Sequence, residues 1–350
     1  MYPKVVVDLK KIVTNTRIVA DICKEKSVDI MGVTKVFCGA PQVAEAEMKG
    51  GIKYFADSRL ENLMKLKELD LPKTLLRLPM ISQADDVVHY ADISLNSEIK
   101  TIEALNIAAM AKKKIHKIIL MIDLGDLREG ILPAQFDETV EAIMKLDNIM
   151  LHGIGVNLTC YGGVIPSEKN LGQLAEFAKR VKEKYNHHLE IVSGGNSSSF
   201  YLVPQNRLPE GINNLRMGEI LVLGRETAYG ELVEGMHDDA FILEAEIVEL
   251  KEKDSIPTGE IGMDAFGNKP TFVDKGRRMR AILAVGVQDV KADQLIPLDD
   301  RIDYLGSSSD HMMWDVTDAD YKVGDIISFK LEYGALLSLF TSEYVDKEYK

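Results

Sequence analysis

Ile30-Met31-Gly32-Val33-Thr34-Lys35-Val36-Phe37-Cys38-Gly39 starts as an apolar run and ends in a turn. Ile30, Met31, Val33 and Val36 suit burial, so the run reads as a short buried strand. Cys38, Gly39, Ala40 and Pro41 break it, and a helix is expected to start within 42–49. The strand therefore delivers Lys35 at its C-terminal end. In a parallel α/β barrel that end of a strand is where chemistry sits. An amine desolvated there loses its proton more readily and can attack a carbonyl to form a Schiff base. Taken alone, the stretch equally describes a surface lysine at a strand end.

The pattern repeats on both sides. A strand at 5–9 precedes a helix at 10–26, where Ile12, Ile18, Val19 and Ile22 fall near helical spacing. After the lysine strand, further strands are expected at 53–58, 74–78, 91–96, 117–123, 150–158, 189–193 and 214–218. Helices are expected at 58–69, with Ser58 as its cap, and at 83–90, 97–113, 135–146 and 167–184. Counted from the lysine strand, that makes eight strands mostly alternating with helices, the signature of an α/β fold of the (β/α)8 TIM-barrel type. Near 236–239 the pattern changes to strands at 241–250, 278–287, 302–315 and 326–333, with few helical signals. A barrel domain over 1–235 and a mostly-β domain over 236–350 are expected, with the first strand outside the count of eight and available to the second.

Composition narrows the function. The 350 residues are 46% hydrophobic, enough for one large core and a smaller second one. No apolar run approaches the roughly 20 residues of a membrane helix, and the N-terminus has no signal-peptide pattern. Cys23, Cys38 and Cys160 are odd in number and scattered, which suggests neither a disulfide framework nor a zinc site and fits a reducing cytoplasm. The net charge of -13 argues against a nucleic-acid partner and is compatible with small cationic substrates.

Several strand ends suit a phosphate-bearing aromatic cofactor. Ser193-Gly194-Gly195-Asn196-Ser197-Ser198-Ser199 follows the seventh barrel strand, and its N–H groups and hydroxyls can cradle a phosphate. Arg216 ends the eighth strand beside Gly218, and Arg128 follows the fifth in Asp123-Leu124-Gly125-Asp126-Leu127-Arg128-Glu129-Gly130. Together with Gly32-Val33-Thr34-Lys35, Leu215-Arg216-Met217-Gly218-Glu219, Gly306-Ser307-Ser308-Ser309-Asp310 and a late Tyr333, this ordered set resembles the alanine racemase family of fold-type III pyridoxal-phosphate enzymes, and within it the ornithine racemase branch.

The resemblance implies an isomerase that interconverts L- and D-ornithine, with lysine and other basic amino acids as related substrates. It implies that Lys35 holds pyridoxal 5'-phosphate and carries one proton. Arg128 contacts the cofactor's phenolic oxygen and the substrate carboxylate, and Arg216 faces the pyridine nitrogen. Asn196, Ser197, Gly218, Glu219 and Tyr333 hold the phosphate. It also implies a head-to-tail homodimer with shared active sites. Three positions depart from the best-known members. A tyrosine four residues after the lysine is Gly39 here, a cofactor-stacking histidine is Asn157, and a modified lysine seven residues before the arginine is Met121. The partner's catalytic tyrosine is also missing: its region reads Ser255-Ile256-Pro257-Thr258-Gly259-Glu260. The second proton carrier is left open among Thr258, Asp264, Asp310, His311 and Tyr161. For the substrate's distal ammonium the acidic β-domain residues Glu260, Asp264, Asp310 and Asp315 are available. Two alternatives share the barrel. Non-catalytic cofactor carriers are usually a barrel alone. Metal-assisted lyases need C-terminal histidine-plus-cysteine or histidine-plus-aspartate ligands, whereas here no cysteine follows Cys160 and His311 is the only histidine after His237.

Overall fold

A computed structural model describes residues 1–264 and 266–350. The chain divides into two compact units, Leu9–Asp238 and Met1–Asp8 with Asp239–Lys350.

The first unit opens with α1 (Leu9–Lys24) and then alternates strands and helices. These are β2 (Asp29–Val33), α2 (Pro41–Gly50), β3 (Tyr54–Asp57), α3 (Leu60–Lys65), β4 (Lys73–Leu75), α4 (Ala84–Tyr90), β5 (Ile93–Asn96) and α5 (Ile99–Ala111). They continue through β6 (His116–Met121), α6 (Phe136–Ile143), β7 (Ile149–Gly155), α7 (Glu168–Tyr185), β8 (Ile191–Ser193), β9 (Asn214–Met217) and α8 (Glu219–Leu223). Strands β2 to β9 form a closed parallel barrel in chain order, with β9 returning to β2, as the alternating pattern predicts. Alternation of side chains along each strand splits the core in two. Met31, Ala56, Ile93, Leu95, Ile119, Met121 and Ile191 form one cluster, the barrel interior. Ile118, Leu120 and Ile122 point the other way and pack with Leu105, Phe136, Val140 and Leu174 of the helices.

The second unit has β1 (Lys4–Val7), β10 (Phe241–Asp254), β11 (Arg277–Leu283), β12 (Leu295–Pro297), β13 (Asp303–Ser307), β14 (Met312–Asp315), β15 (Ile326–Leu331), α9 (Tyr333–Thr341) and β16 (Asp346–Tyr349). The sheet order is β12-β15-β10-β11-β14-β13. The first strand pairs antiparallel with β10 and parallel with β16. Trp314, Phe329, Phe241 and Phe340 supply much of this unit's aromatic packing.

The structure corrects four local expectations. The lysine strand ends at Val33, and Lys35 lies in a 3-10 turn, Thr34–Phe37, because the ladder to β3 stops at Val33 and the N–H groups of Cys38 and Gly39 fold back onto the carbonyls of Lys35 and Thr34. Ser58 does not cap α3; the carboxylate of Asp57 accepts Arg59 N–H at 2.9 Å instead. The run 302–315 is a hairpin of two strands, closed where Ser308 N–H meets the His311 carbonyl at 2.8 Å. Residues 333–341 form a helix, because Ala335, Leu336, Leu339 and Phe340 recur on one buried face.

One buried acid stands out behind the lysine strand. Glu47 on α2 is fully buried and neither carboxyl oxygen has a hydrogen-bond partner among the described residues. A Cβ on Gly32 would fall 2.6 Å from its Oε2, so a larger residue there would have to displace the Glu47 side chain. Burial, reinforced by nearby Asp57, holds the Glu47 carboxyl well above its ordinary 4.5. A raised carboxyl stabilises the fold below that ordinary value and loses its contribution as pH rises through the folded value. Glu47→Met keeps the volume and removes the unpaired polar group. It is expected to raise stability by about 1–3 kcal/mol at about pH 8 and by less at about pH 5, as measured by urea melts at both.

Candidate active site

The strands are parallel, so the segments leaving their C-terminal ends gather on one face of the barrel. Lys35, Arg128, Asn157, Asn196, Ser197, Arg216, Gly218 and Glu219 all lie on or just beyond those ends. Lys35 itself is half-buried in its turn.

Arg216 sits on β9, opposite Met31 of β2, and is 4% exposed. Its Nη1 donates to Ser193 Oγ at 2.6 Å and its Nη2 to the Val156 carbonyl at 2.7 Å. Ser193 Oγ in turn donates to Asn214 Oδ1 at 2.7 Å, so the guanidinium is held from β7, β8 and β9 together. Burial pushes its pKa down to about 10, which still leaves it protonated at neutral pH. Two residues on, Gly218 packs on the lysine strand, where a Cβ would meet Val33 Cβ at 3.1 Å.

The serine-rich segment after β8 forms a 3-10 turn, Ser197–Leu202, capped by Asn196 Oδ1, which accepts Ser198 N–H at 2.8 Å. Ser197 Oγ accepts the N–H groups of Gly218 and Ile220 at 3.3 Å each, which joins this turn to the start of α8. Asn196 Nδ2 donates to Asn157 Oδ1 at 3.1 Å and to the Leu158 carbonyl at 2.8 Å. Asn157 Nδ2 and Ser198 Oγ are buried and have no partner among the described residues. Buried donors are nearly always satisfied, so two in neighbouring segments call for an acceptor-rich ligand.

Beyond β6, Asp123 Oδ1 accepts the N–H groups of Gly125 and Leu127 and shapes the loop that carries Arg128. Arg128 is paired bidentately with its neighbour Glu129, one contact being 2.6 Å, and that pairing holds its pKa above the ordinary arginine value. The charge of Glu129 also acts on Arg216. The position seven residues before Arg128 is Met121, which is fully buried in the barrel interior and carries no charge. The anion beside Arg128 is therefore Glu129, a role that sequence reading did not assign. Asp126, 1% exposed, was missed as well. Its carboxylate accepts the N–H groups of Cys160 at 3.2 Å, Tyr161 at 2.9 Å and Val164 at 3.2 Å, so the loops after β6 and β7 are stapled together. The available signal was an acid inside a glycine-bounded turn. Gly39 also has a structural reason: its φ is +63° and a Cβ would approach the Asn62 carbonyl to 2.8 Å, so no tyrosine fits there.

Tyr161, a candidate proton carrier, is exposed in the first unit, and the remaining expected residues belong to the second. Thr258 and Glu260 are exposed. Asp264 accepts the N–H groups of Phe266 and Asn268 at 2.9 and 2.8 Å, and these bonds, Asn268 first, hold its carboxyl below the ordinary value. Asp310 accepts the Ser308 hydroxyl at 3.0 Å and lies 3.2 Å from His311 Nδ1. Tyr333 opens α9. Asp315, expected to be available to the substrate's ammonium, is instead buried and paired with Arg278 at 2.8 Å and with Thr317 at 2.6 Å, because β14 lies between β11 and β13 in its sheet.

Comparison with known proteins accounts for this arrangement. Residues 7–226 match the family described as alanine racemase, N-terminal domain. Over 99% of both chains the protein is 52% identical to the ornithine racemase of Acetoanaerobium sticklandii. It is 40% identical to the lysine racemase of Thermotoga maritima, over 100% of this chain and 99% of that one. In fold it is similar to the alanine racemase of Streptomyces lavendulae, with a TM-score of 0.78 at 16% identity, covering 99% of this chain and 96% of that one. From the lysine turn to the buried arginine, these are the barrel and strand ends of a known group, and the chain belongs to the alanine racemase family.

Proposed function

We propose that the protein is a pyridoxal 5'-phosphate-dependent racemase that interconverts L- and D-ornithine, working as a cytoplasmic head-to-tail homodimer. The observation that carries the reading is the gathering of one lysine, one buried arginine and two unsatisfied buried donors at the barrel's strand ends, in a chain so similar to an ornithine racemase. The likeness to a lysine racemase points the same way, toward side chains that end in an ammonium.

The donor set fits the cofactor. Asn196, Ser197 and the backbone at Gly218 and Glu219 offer N–H and hydroxyl groups to a phosphate, with Tyr333 as a further contact. Asn157 supplies a buried amide beside them. When bound, pyridoxal phosphate supplies an electron-withdrawing ring that acidifies the α-hydrogen of an attached amino acid. Lys35 Nζ would hold it covalently and carry one α-proton. Arg216, a fixed cation, would disfavour a proton on the ring nitrogen, which would favour plain proton return over side reactions. Arg128, oriented by Glu129, binds the substrate carboxylate. The second proton carrier is assigned to the second unit, with His311 and Thr258 as candidates, and Asp264 and Asp310 are candidates for the distal ammonium.

The direct test is α-hydrogen exchange in heavy water across a panel of L-amino acids, with chiral analysis of products. Exchange with D-product, fastest for ornithine, is expected; bound cofactor with no exchange on any amino acid would defeat the reading. Lys35→Ala is expected to lower exchange by at least about a thousandfold and to abolish the cofactor adduct trapped by borohydride, read by peptide mass. Arg216→Glu is expected to raise transamination about tenfold relative to racemisation, measured as 2-oxo acid released. An unchanged ratio in a folded variant would remove Arg216 from the ring nitrogen.

A further inference from the structure

Lys35 stands outside the barrel's hydrogen-bond ladder. Past Val33 short backbone bonds close its turn, from Cys38 N–H to the Lys35 carbonyl at 3.1 Å and from Gly39 N–H to the Thr34 carbonyl at 3.0 Å. These bonds stay within the turn. Side chains of the neighbouring segment tie it to the barrel on both sides of Lys35.

Thr34, fully buried, donates from Oγ1 to Asp57 Oδ2 at 2.6 Å. Asp57, also fully buried, accepts Asn62 Nδ2 at 3.1 Å on its other oxygen. Asn62 Oδ1 accepts Lys65 Nζ at 3.2 Å, and Lys65 Nζ also donates to the Cys38 carbonyl at 2.7 Å. The chain of bonds leaves the backbone one residue before Lys35 and returns three residues after it. It spans β3 and α3 and closes a ring around the turn. Gly39 completes the fit, since its backbone lies against Asn62 where a Cβ has no room.

We propose that Asp57, Asn62 and Lys65 form a clamp that positions Lys35 through Thr34 and Cys38; the catalytic consequence rests on the racemase reading, the clamp itself does not. The two legs differ in weight. The Thr34–Asp57 bond is buried and charge-assisted, which makes it the stronger leg. The Lys65 leg is exposed and contributes less. Glu47, buried beside Asp57, is a second carboxyl at this place and makes no bond to the ring. Misplacing a reacting amine by about 1 Å costs up to about a hundredfold in rate, so a loosened clamp is read in turnover more than in substrate binding.

The test compares Thr34→Val, which deletes the hydroxyl at nearly constant shape, with Thr34→Ser, which keeps it, and with Lys65→Met on the exposed leg. The cofactor-independent readout is competitive acetylation of Lys35 by acetic anhydride, measured by peptide mass spectrometry against exposed Lys67. Thr34→Val is expected to change the Lys35 rate at least about threefold and Lys65→Met about twofold, with Thr34→Ser like the parent. In the holoenzyme, Thr34→Val is expected to lower kcat about tenfold with KM within about twofold. Lys35 acetylated at the parental rate in both Thr34→Val and Lys65→Met overturns the clamp, as does a Thr34→Ser defect equal to that of Thr34→Val. Because Lys65 is exposed, Lys65→Met decides the matter even where Thr34→Val does not fold. Failure of the racemase reading appears separately, as absent α-hydrogen exchange in the parent protein.

Discussion

The closure of β9 onto β2 is the constraint on which the site depends. It places Arg216 opposite Met31 and Gly218 against Val33, so the last barrel strand and the lysine strand share one register. A slip of one residue in that pairing would send Arg216 to the helix side of the wall and Leu215 into its place. The same closure brings the start of α8 to the serine turn, where one hydroxyl accepts two N–H groups. Barrel topology and ligand geometry are therefore one problem here, solved by the same hydrogen bonds.

Charge at the strand ends is arranged with few pieces. Two guanidiniums, Arg128 and Arg216, share the field of one carboxylate, Glu129, and Arg128 feels that of Asp126 as well. Among the described residues Arg216 has neutral acceptors only, Ser193 Oγ and a carbonyl, so its charge is not cancelled by direct contact with them. Arg128 is half of an ion pair and is held by it. Arg216 is thus left to act on whatever lies beside it, while Arg128 is oriented by its ion pair. Met121, apolar and buried, adds no charge to the barrel interior.

The barrel was legible because its strands are short apolar runs, each followed by a helical period, and a period survives small errors in boundaries. Lys35 and Arg216 were legible for the same reason, as polar residues at the ends of apolar runs. What escaped detection was mostly tertiary. The 3-10 turn at Lys35 depends on where the β3 ladder stops, and no residue within 30–39 announces it. Asp126 and Glu129 look like loop acids until their partners, one across a loop and one adjacent, are known. Asp315 reads as a surface acid because Arg278 is 37 residues away in sequence. The helix at 333–341 carries its signal in apolar spacing, but it lies between two strands of an otherwise mostly-β unit.

The first strand has a consequence for the order of assembly. Val7 pairs with Phe241 on one side and with Tyr349 on the other, so β1 lies between partners made late in the chain. The barrel has all its strands once residue 217 has been made. During synthesis from the N-terminus, β1 must wait as an unpaired strand while the whole barrel is laid down behind it. Its sheet is therefore the slow, long-range part of the fold, and the barrel the part that can form first. A lysine in that waiting strand, Lys4, later bonded to Glu348 at 2.6 Å, keeps it from offering a wholly apolar edge to other chains in the interval.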